Sequence, residues 1–296
     1  MTTSDCAIVI LAHNGVDFTK ACVESILGAL VAPTELFLVD NGSTDGTPQL
    51  VAELEPRIRA AGIRFETWRN SENKGCSEAR NDAWAKVTCP YTVLLDNDTA
   101  VCTPDWLARL QAAMEASLRL GILGTKMIYP YEPHPIQCAG VGVSPLGRIA
   151  FRGRGKARGE ARFCQFREVH ALISACWIMR TDLRTSVGYL DEIFHPVQYE
   201  DLDLCLRAEQ AGFTVAYTPE VEMYHFEGIT TASFGQKEYR RNIAKNSLKF
   251  RERWHHVYRT YEEELPADEY RWLERDELGL RPELDLAYCP SPIATS

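Results

Sequence analysis

The sequence lacks the features that mark several common protein classes. No apolar run reaches about 18 residues, the length that a membrane-spanning helix needs. The first five residues lack the basic start and apolar core of a signal peptide. The ten cysteines never form a C-x-x-C pair, which argues against a zinc ribbon, and Cys6, Cys176 and Cys205 lie in apolar runs where buried thiols are expected. We therefore expect a reduced, cytoplasmic protein.

Positive charge is also scarce. The 296 residues include 32 Lys+Arg and 41 Asp+Glu, a net charge of −9, which disfavours nucleic acid as a general partner. Hydrophobic residues make up 45% of the chain, enough to exclude wholesale disorder. The charge is unevenly spread, because residues 261–296 carry −7 and residues 1–260 only −2. We expect residues 256–296 to form an acidic helical tail.

Strand and helix patterns alternate through the first hundred residues. Apolar runs at 7–11, 36–39, 63–68 and 91–95 predict buried strands, separated by helices at 18–30, 47–61 and 77–86. This order is typical of an α/β fold with a mainly parallel, Rossmann-like sheet covered by helices on both faces. Ligands of such sheets bind beyond the carboxyl ends of the strands, where polar clusters follow three of the runs.

The second half of the chain is less regular. Helices are predicted at 104–118, 201–210 and 236–254, a strand at 172–179, and hairpins with a long loop at 136–170. We expect a single domain with a first half at 1–103 and a smaller second half at 104–255, followed by the tail.

The sharpest chemical signal is the sequence Asp96-Asn97-Asp98, which follows the fourth predicted strand. Two carboxylates at the end of a buried strand are costly unless they bind something. Divalent cations such as Mg²⁺ prefer oxygen ligands, and phosphates bridge to such cations. The alternative is a solvated acidic turn.

A second polar segment, 40–47, follows the second predicted strand. Asp40 ends that strand, and its carboxylate could accept a hydrogen bond from a nucleobase N–H or a ribose hydroxyl. The neighbouring glycines permit close backbone approach. The alternative is a turn rich in Asn, Gly and Asp.

The third segment places Glu200, Asp201 and Asp203 at the start of a predicted amphipathic helix. The positive end of the helix dipole stabilises carboxylates there, and one of them could act as a general base. His225 is either a metal or phosphate ligand or an ordinary structural histidine.

Together these segments resemble the inverting family 2 glycosyltransferases of the GT-A fold, especially bacterial rhamnosyltransferase-like members. The resemblance covers about residues 7–250. Its motifs stand in the family's order: Ala12-His13-Asn14, the segment 39–45, Asn73-Lys74-Gly75, Ala79-Arg80-Asn81, Asp96-Asn97-Asp98, Glu200-Asp201 and His225.

The resemblance implies a hexosyltransferase that uses a nucleoside-diphosphate sugar, with UDP or dTDP favoured, and Mg²⁺ or Mn²⁺. It implies that Asp98 binds the metal, that Asp96 lies nearby on ribose or metal-bound water, and that His225 reaches the metal or diphosphate. Asp201 would be the base of a single in-line displacement, with Glu200 positioning the acceptor. The implied nucleotide-sugar contacts are His13, Asn14, Asp40 at the base, Asn41, Lys74, Gly75, Arg80, Asp96 and Asn97.

The acceptor side is expected at Ser174, Ala175, Cys176 and Trp177. Relatives often have a Gly-Ala pair where this chain has Ser174-Ala175-Cys176, so the acceptor pocket is expected to differ. Glycan, lipid-linked, natural-product and peptide acceptors all remain open, with at most peripheral contact to the inner face of a membrane.

Residues 148–167 carry seven bases and one acid. The segment is interpreted as a solvated hairpin. The alternative is a mobile lid that meets an anionic acceptor, a diphosphate or a membrane surface.

Rival functions fit the pattern less well. A dinucleotide oxidoreductase needs G-x-G-x-x-G after the first strand, and a nucleotidyltransferase needs a glycine-rich basic loop there; both are missing. A haloacid-dehalogenase-like phosphatase would use Asp96 as nucleophile, but about ninety residues of predicted sheet precede it. A non-catalytic nucleotide-sugar-binding module would not need Asp98 and Asp201.

Overall fold

A ten-stranded sheet forms the centre of the protein, as seen in a computed structural model that describes residues 2–228, 235–261 and 265–271. Its strands are β1 Thr2–Ala12, β2 Val31–Asp40, β3 Arg64–Arg69, β4 Tyr91–Asp96, β5 Thr99–Val101, β6 Leu120–Ile128, β7 Ile136–Cys138, β10 Arg167–Glu168, β11 Cys176–Arg180 and β12 Thr214–His225. A second sheet contains β8 Val141–Val143, β9 Ile149–Arg152 and β13 Tyr270–Arg271.

Seven α-helices connect and cover these strands in the described residues. They are α1 Val16–Leu27, α2 Thr47–Ala60, α3 Cys76–Trp84, α4 Trp106–Ala116, α5 Leu183–Val187, α6 Glu200–Gln210 and α7 Gln236–Tyr258. Within this described part of the chain, no helix combines the length and apolarity needed to cross a membrane.

The strand order in the large sheet is β10-β12-β6-β11-β4-β1-β2-β3, with β5 paired to β12 and β7 to β6. β1 lies parallel to both β2 and β4, β2 to β3, and β6 to β12, while β11 runs antiparallel between β4 and β6. Six strands therefore share one direction, and the expected α/β sheet with its mainly parallel order is confirmed.

The apolar runs form the core because the central strands are covered on both faces. Residues 6–10 of β1 and 93–95 of β4 are at most 1% exposed, as continuous apolar strands in a parallel sheet require. The buried thiols of Cys6, Cys176 and Cys205 confirm the expectation that these cysteines act as small core residues.

Several element boundaries differ from the sequence-based expectation. β2 starts at Val31, five residues early, and includes Pro33; β3 pairs with β2 only from Glu35, so the proline has one neighbouring strand. α1 ends at Leu27 rather than residue 30, because Gly28 caps it. The strand expected at 172–179 is β11, and it begins only at Cys176.

The basic segment 148–167 does contain a hairpin strand, since β9 pairs antiparallel with β8, but only part of the segment is solvated. Arg152 and Arg154 are 1% and 3% exposed. Arg152 forms an ion pair with Glu269, and the Arg154 guanidinium lies 2.9 Å from a Glu227 carboxylate oxygen. Burial and pairing fix the segment in the molecule, because an unpaired buried guanidinium would be costly.

The helical tail expected at 256–296 stays a prediction over most of its length, although residues 256–258 are helical as the end of α7. Residues 270–271 form β13, which pairs antiparallel with β9. Residues 262–264 and 272–296 lie outside the described residues. The proposed division at residue 103 stays a prediction, since strands from both sides of it belong to the same sheet, and α7 continues past 255 to Tyr258.

Candidate active site

A cavity of about 230 Å³ lies beyond the carboxyl ends of the parallel strands. The register explains why separate motifs meet there. Leu11 of β1 is opposite Asp96 of β4, and Ala12 is opposite Asp40 of β2. On the other side of β4, the Ala175 carbonyl accepts a hydrogen bond from the Asp96 backbone N–H at 3.0 Å. The cavity therefore gathers residues from both halves of the chain.

Asp96, Asp98 and His225 form a cluster on one wall of the cavity. One ligand atom from each lies within 4.8 Å of the other two. His225 Nε2 is 3.2 Å from Asp98 Oδ1 and 4.0 Å from Asp96 Oδ2. His225 reaches this position because β12 pairs with β5, which places it opposite Thr99.

This donor set fits a divalent cation. Two carboxylate oxygens and one imidazole nitrogen suit Mg²⁺ or Mn²⁺. Burial disfavours the imidazolium, but the carboxylates of Asp98 and Asp96 outweigh it and raise the pKa of His225. For Asp96, burial disfavours the charged carboxylate and raises its pKa despite the neighbouring Arg80. A cation bound here would hold both carboxylates ionised.

Gln137 orients His225, a role that its sequence context did not predict. The His225 Nδ1 lies 2.7 Å from Gln137 Oε1, so Nδ1–H donates to the amide oxygen and Nε2 is directed at the carboxylates, where it would ligate a bound cation. Gln137 is 1% exposed in β7, between Ile136 and Cys138. The only available signal was a single amide in a short apolar stretch.

Arg80 lies beneath the cluster, on α3. It is 1% exposed, forms an ion pair with Asp96, and donates a 2.8 Å hydrogen bond to Ser174 Oγ. Its Nε has no hydrogen-bond partner among the described residues. Arg80 was expected to hold the nucleotide. In this structure it instead holds Asp96 and links that residue to Ser174.

Glu200 and Asp201 form a second wall of the cavity, at the first turn of α6. The two residues before them, Gln198 and Tyr199, both have φ 80°, a left-handed conformation that is costly for non-glycine residues. Asp201 accepts hydrogen bonds from the backbone N–H groups of Leu202 at 2.8 Å and Ser174 at 3.3 Å. The strained turn thus holds both carboxylates at the cavity.

The electrostatics of this pair suit proton transfer near neutral pH. Burial, followed by the charge of Glu200, raises the pKa of Asp201 to about 8. Burial also raises the pKa of Glu200, which is 3% exposed. Glu200 Oε2 has no hydrogen-bond partner among the described residues. A carboxylate with a pKa near the working pH is an effective general base.

The loop after β2 forms the floor of the cavity. The Asn41 side-chain amide donates to Asn73 Oδ1 at 2.9 Å and to the Gly75 carbonyl at 3.1 Å. The Asn41 backbone carbonyl lies 2.9 Å from His13 Nδ1. Gly75 has φ +82°, and a Cβ there would lie 2.6 Å from His195 Nδ1. Only glycine fits this position.

Twelve of the residues expected at the site line the cavity: His13, Asn41, Gly75, Arg80, Asp96, Asn97, Asp98, Ser174, Ala175, Glu200, Asp201 and His225. Asn14 does not line it; instead, its Oδ1 accepts a 2.8 Å hydrogen bond from the Thr44 N–H.

Four other expected residues also lie outside the cavity lining. Asp40 is 3% exposed and accepts a hydrogen bond from the Ser43 N–H at 2.8 Å. Lys74 is directed to Glu78 and Asp82, at 3.1 and 3.3 Å. Cys176 and Trp177 are at most 1% exposed within β11, so placing them on the acceptor side is wrong; the lining comes from the residues just before that strand.

The cavity also contains residues that the sequence analysis missed or misplaced. Besides Gln137, these include Cys76, Phe151, Arg154 and Glu227. Glu227 accepts a 2.5 Å hydrogen bond from the Tyr129 hydroxyl, which helps it hold Arg154. The basic character of residues 148–167 was visible, but not the direction in which Arg154 points.

Comparison with known sequences places the chain near a transferase family. A model of the family described as glycosyl transferase family 2 matches residues 7–186. The uncharacterized protein y4gI of Sinorhizobium fredii (strain NBRC 101917 / NGR234) is 30% identical over 254 residues, which are 84% of this chain and 27% of that protein. The chain thus spans about a quarter of the length of that relative.

A second relative carries a functional name. The N-acetylglucosaminyl-diphospho-decaprenol L-rhamnosyltransferase of Mycobacterium tuberculosis (strain ATCC 25618 / H37Rv) is 27% identical over 237 residues, 76% of each chain.

Two solved structures have the same fold. GalNAc-T7 with UDP, GalNAc and Mn²⁺ gives a TM-score of 0.61 at 17% identity, over 74% of this chain and 42% of that one. The mannosyltransferase PcManGT of Pyrobaculum calidifontis, in complex with GDP-Man and Mn²⁺, gives a TM-score of 0.57 at 14% identity, over 86% of this chain and 70% of that one. At these identities the likeness establishes the GT-A fold.

Proposed function

The chain belongs to glycosyl transferase family 2, and from that membership we propose that it transfers a sugar from a nucleoside-diphosphate sugar to a hydroxyl acceptor with inversion. One observation carries the proposal: the Asp96–Asp98–His225 cluster and the Glu200–Asp201 pair face one cavity. The first can hold a metal at a diphosphate, and the second can remove a proton. In-line displacement needs both, on opposite sides of the reacting carbon.

The mechanism follows from these two walls. A divalent cation, when bound, supplies positive charge that offsets the charge developing on the diphosphate leaving group. Asp98, Asp96 and His225 would hold it, and Arg80 keeps Asp96 in place. Asp201 accepts the proton of the acceptor hydroxyl as the hydroxyl oxygen attacks the anomeric carbon. Glu200 positions the acceptor, and a single displacement inverts that carbon.

For the donor we favour a UDP- or dTDP-linked hexose. Asp40 suits the N–H of uracil or thymine, although its side chain lies just behind the cavity lining. GalNAc-T7 was crystallised with UDP, and a Staphylococcus aureus TarS fragment with UDP-GlcNAc. PcManGT, crystallised with GDP-Man, shows that guanine donors also occur on this fold.

For the acceptor we favour a lipid-linked or other glycan over a natural product or peptide. The name of the mycobacterial relative specifies a diphospho-decaprenol sugar, which is a lipid-linked acceptor. Ser174 and Ala175 lie at the cavity next to Asp201 and would contact it. We propose a cytoplasmic enzyme whose contact with a membrane is peripheral.

The test is a donor panel. The protein is incubated with UDP-, dTDP- and GDP-sugars, each with Mg²⁺, Mn²⁺ or a chelator, and nucleoside diphosphate release is measured. Metal-dependent release from a uridine or thymidine donor supports the proposal. Phosphate release from simple phosphomonoesters, with Asp96 as nucleophile, would favour a phosphatase. Donor binding without turnover, even with a broad acceptor panel, would favour a binding module.

A further inference from the structure

Helix α7 carries a charge opposite to that of the chain. It contains seven bases and two acids, a net charge of +5, whereas the whole chain carries −9. A basic amphipathic helix on an acidic protein is unusual enough to need a partner of negative charge.

The bases lie on one side of the helix. Asn246, Phe250 and Trp254 are buried on the inner side. With 3.6 residues per turn, the outer side presents a basic face, which we define as Lys237, Arg240, Arg241, Lys245 and the apolar Leu248, all exposed. The two acids of the helix, Glu238 and Glu252, are exposed on the same side and leave it with a net positive charge.

The basic face is not neutralised by the part of the molecule that the structure describes. There, no carboxylate lies within 4.0 Å of its four basic side chains. Arg253, on the same helix but outside this face, pairs with both Asp191 and Asp203, at 2.7 and 2.9 Å. The helix therefore has one set of charges used for folding and another directed to solvent.

Exposed apolar side chains accompany these charges. Leu248 is 68% exposed in the middle of the helix. Ile193, which is 46% exposed, belongs to a segment next to α7, where its carbonyl accepts a hydrogen bond from the Lys249 ammonium group. Apolar side chains among bases gain by entering the interface of a bilayer, and gain nothing from a phosphate backbone in water.

The opposite side of α7 faces the cavity. Tyr239 and Ile243, from the same turns of α7, line the cavity on the inner side. The Asn246 amide donates to the carbonyls of Phe194, Val197 and Gln198, at 2.6, 3.0 and 3.2 Å. The helix is thus fixed to the loop that leads into the Glu200–Asp201 pair.

We propose that the basic face of α7 docks the protein on an anionic phospholipid surface. The charges attract phosphate headgroups, and Leu248 enters the interface. This docking does not rest on the proposed function.

The test uses the full chain and vesicles of two compositions. Binding is measured by co-sedimentation with phosphatidylcholine alone and with phosphatidylcholine containing phosphatidylglycerol, at low and high salt. The test variant is R241E/K245E. The matched control is K20E/R119E, which changes net charge equally at exposed sites away from α7.

We expect binding only to the anionic vesicles, weakened by salt, at least tenfold weaker in R241E/K245E and unchanged in the control. Equal binding by both variants, or no binding by the native chain, would overturn the proposal. Tight binding to an oligonucleotide without vesicle binding would overturn it in favour of nucleic acid.

Donor hydrolysis in solution separates this inference from the proposed function. R241E/K245E should release nucleoside diphosphate at the native rate, because neither residue lies in the cavity. Vesicle binding by a chain that hydrolyses no donor would leave the docking face standing and remove the transferase.

Discussion

Helix α6 carries two aspartates two residues apart with opposite surroundings. Asp203 is fully buried, and its oxygens accept from Arg207 at 2.8 Å, Arg253 at 2.9 Å and Trp254 Nε1 at 2.8 Å. Asp201 faces the cavity and has only two backbone donors, beside the acidic Glu200. The Asp203 carboxylate thus accepts three side-chain hydrogen bonds, whereas the Asp201 carboxylate accepts none from a side chain among the described residues.

The difference separates groups that hold the fold from groups that await a ligand. Incomplete pairing recurs around the cavity: Glu200 Oε2, Gln137 Nε2 and Arg80 Nε have no hydrogen-bond partners among the described residues. Unsatisfied buried polar atoms destabilise a protein, and the three at this cavity, unlike the buried indole N–H groups of Trp84 and Trp106 elsewhere, lie where a ligand could meet them.

The largest expected effect comes from Asp201→Asn. The amide keeps an acceptor for the backbone N–H groups but cannot remove a proton, so we expect kcat to fall by about 10³-fold. Binding of UDP with Mn²⁺, measured by calorimetry, should stay within about twofold. Glu192→Gln, at an exposed carboxylate outside the cavity, is the control. Normal turnover by the Asp201 variant would remove it as the base.

Asp203→Asn should show the reverse pattern. It breaks a buried pair and leaves Arg207 and Arg253 without their shared partner, which costs about 3 kcal/mol of unfolding free energy. Denaturant unfolding measures this loss. The kcat of the folded fraction should change far less than in Asp201→Asn. A variant with native stability would show that the saturated cluster does not hold the fold.

The contrast between these neighbours was only partly visible in the sequence. An i, i+2 acid pair at a helix start indicates a special site, and the resemblance singled out Asp201. Spacing alone cannot show that Asp203 meets Arg253, fifty residues later, because that contact depends on how α7 packs against α6.

The fold was more predictable than the site's details. The central strands bury both faces, so their apolar runs appear directly in the sequence, and polar residues after β1, β2 and β4 must meet at one edge. The orientations of Arg154 and Trp177 were not predictable, because each depends on long-range packing. From the sequence alone, the basic run at 148–167 is interpreted as solvated, because its acidic partners Glu227 and Glu269 lie far along the chain.

Gln137→Leu tests the metal side of the same comparison. Gln137→Leu removes the acceptor of His225 Nδ1–H, so the imidazole ring can rotate and adopt either tautomer. We therefore expect Mn²⁺ affinity to fall by about 10- to 100-fold. Binding of Mn²⁺ alone is measured by electron paramagnetic resonance. Gln137→Glu, which keeps an acceptor, should retain affinity, and the exposed Gln165→Leu should be neutral. Unchanged affinity in Gln137→Leu would exclude a positioning role.

Asp201 should also give the protein a pH dependence of stability. Its pKa is about 8 in the folded protein, above the ordinary value of 3.8, so the folded state holds a proton that the unfolded state releases. The stability from this proton is complete below about pH 4 and is lost as pH rises through 8. Asp201→Asn should therefore have a higher Tm than the native chain at pH 9, with a smaller difference at pH 5. If the pKa were ordinary, the Tm difference would be the same at both pH values, and Asp201 would be as well satisfied as Asp203.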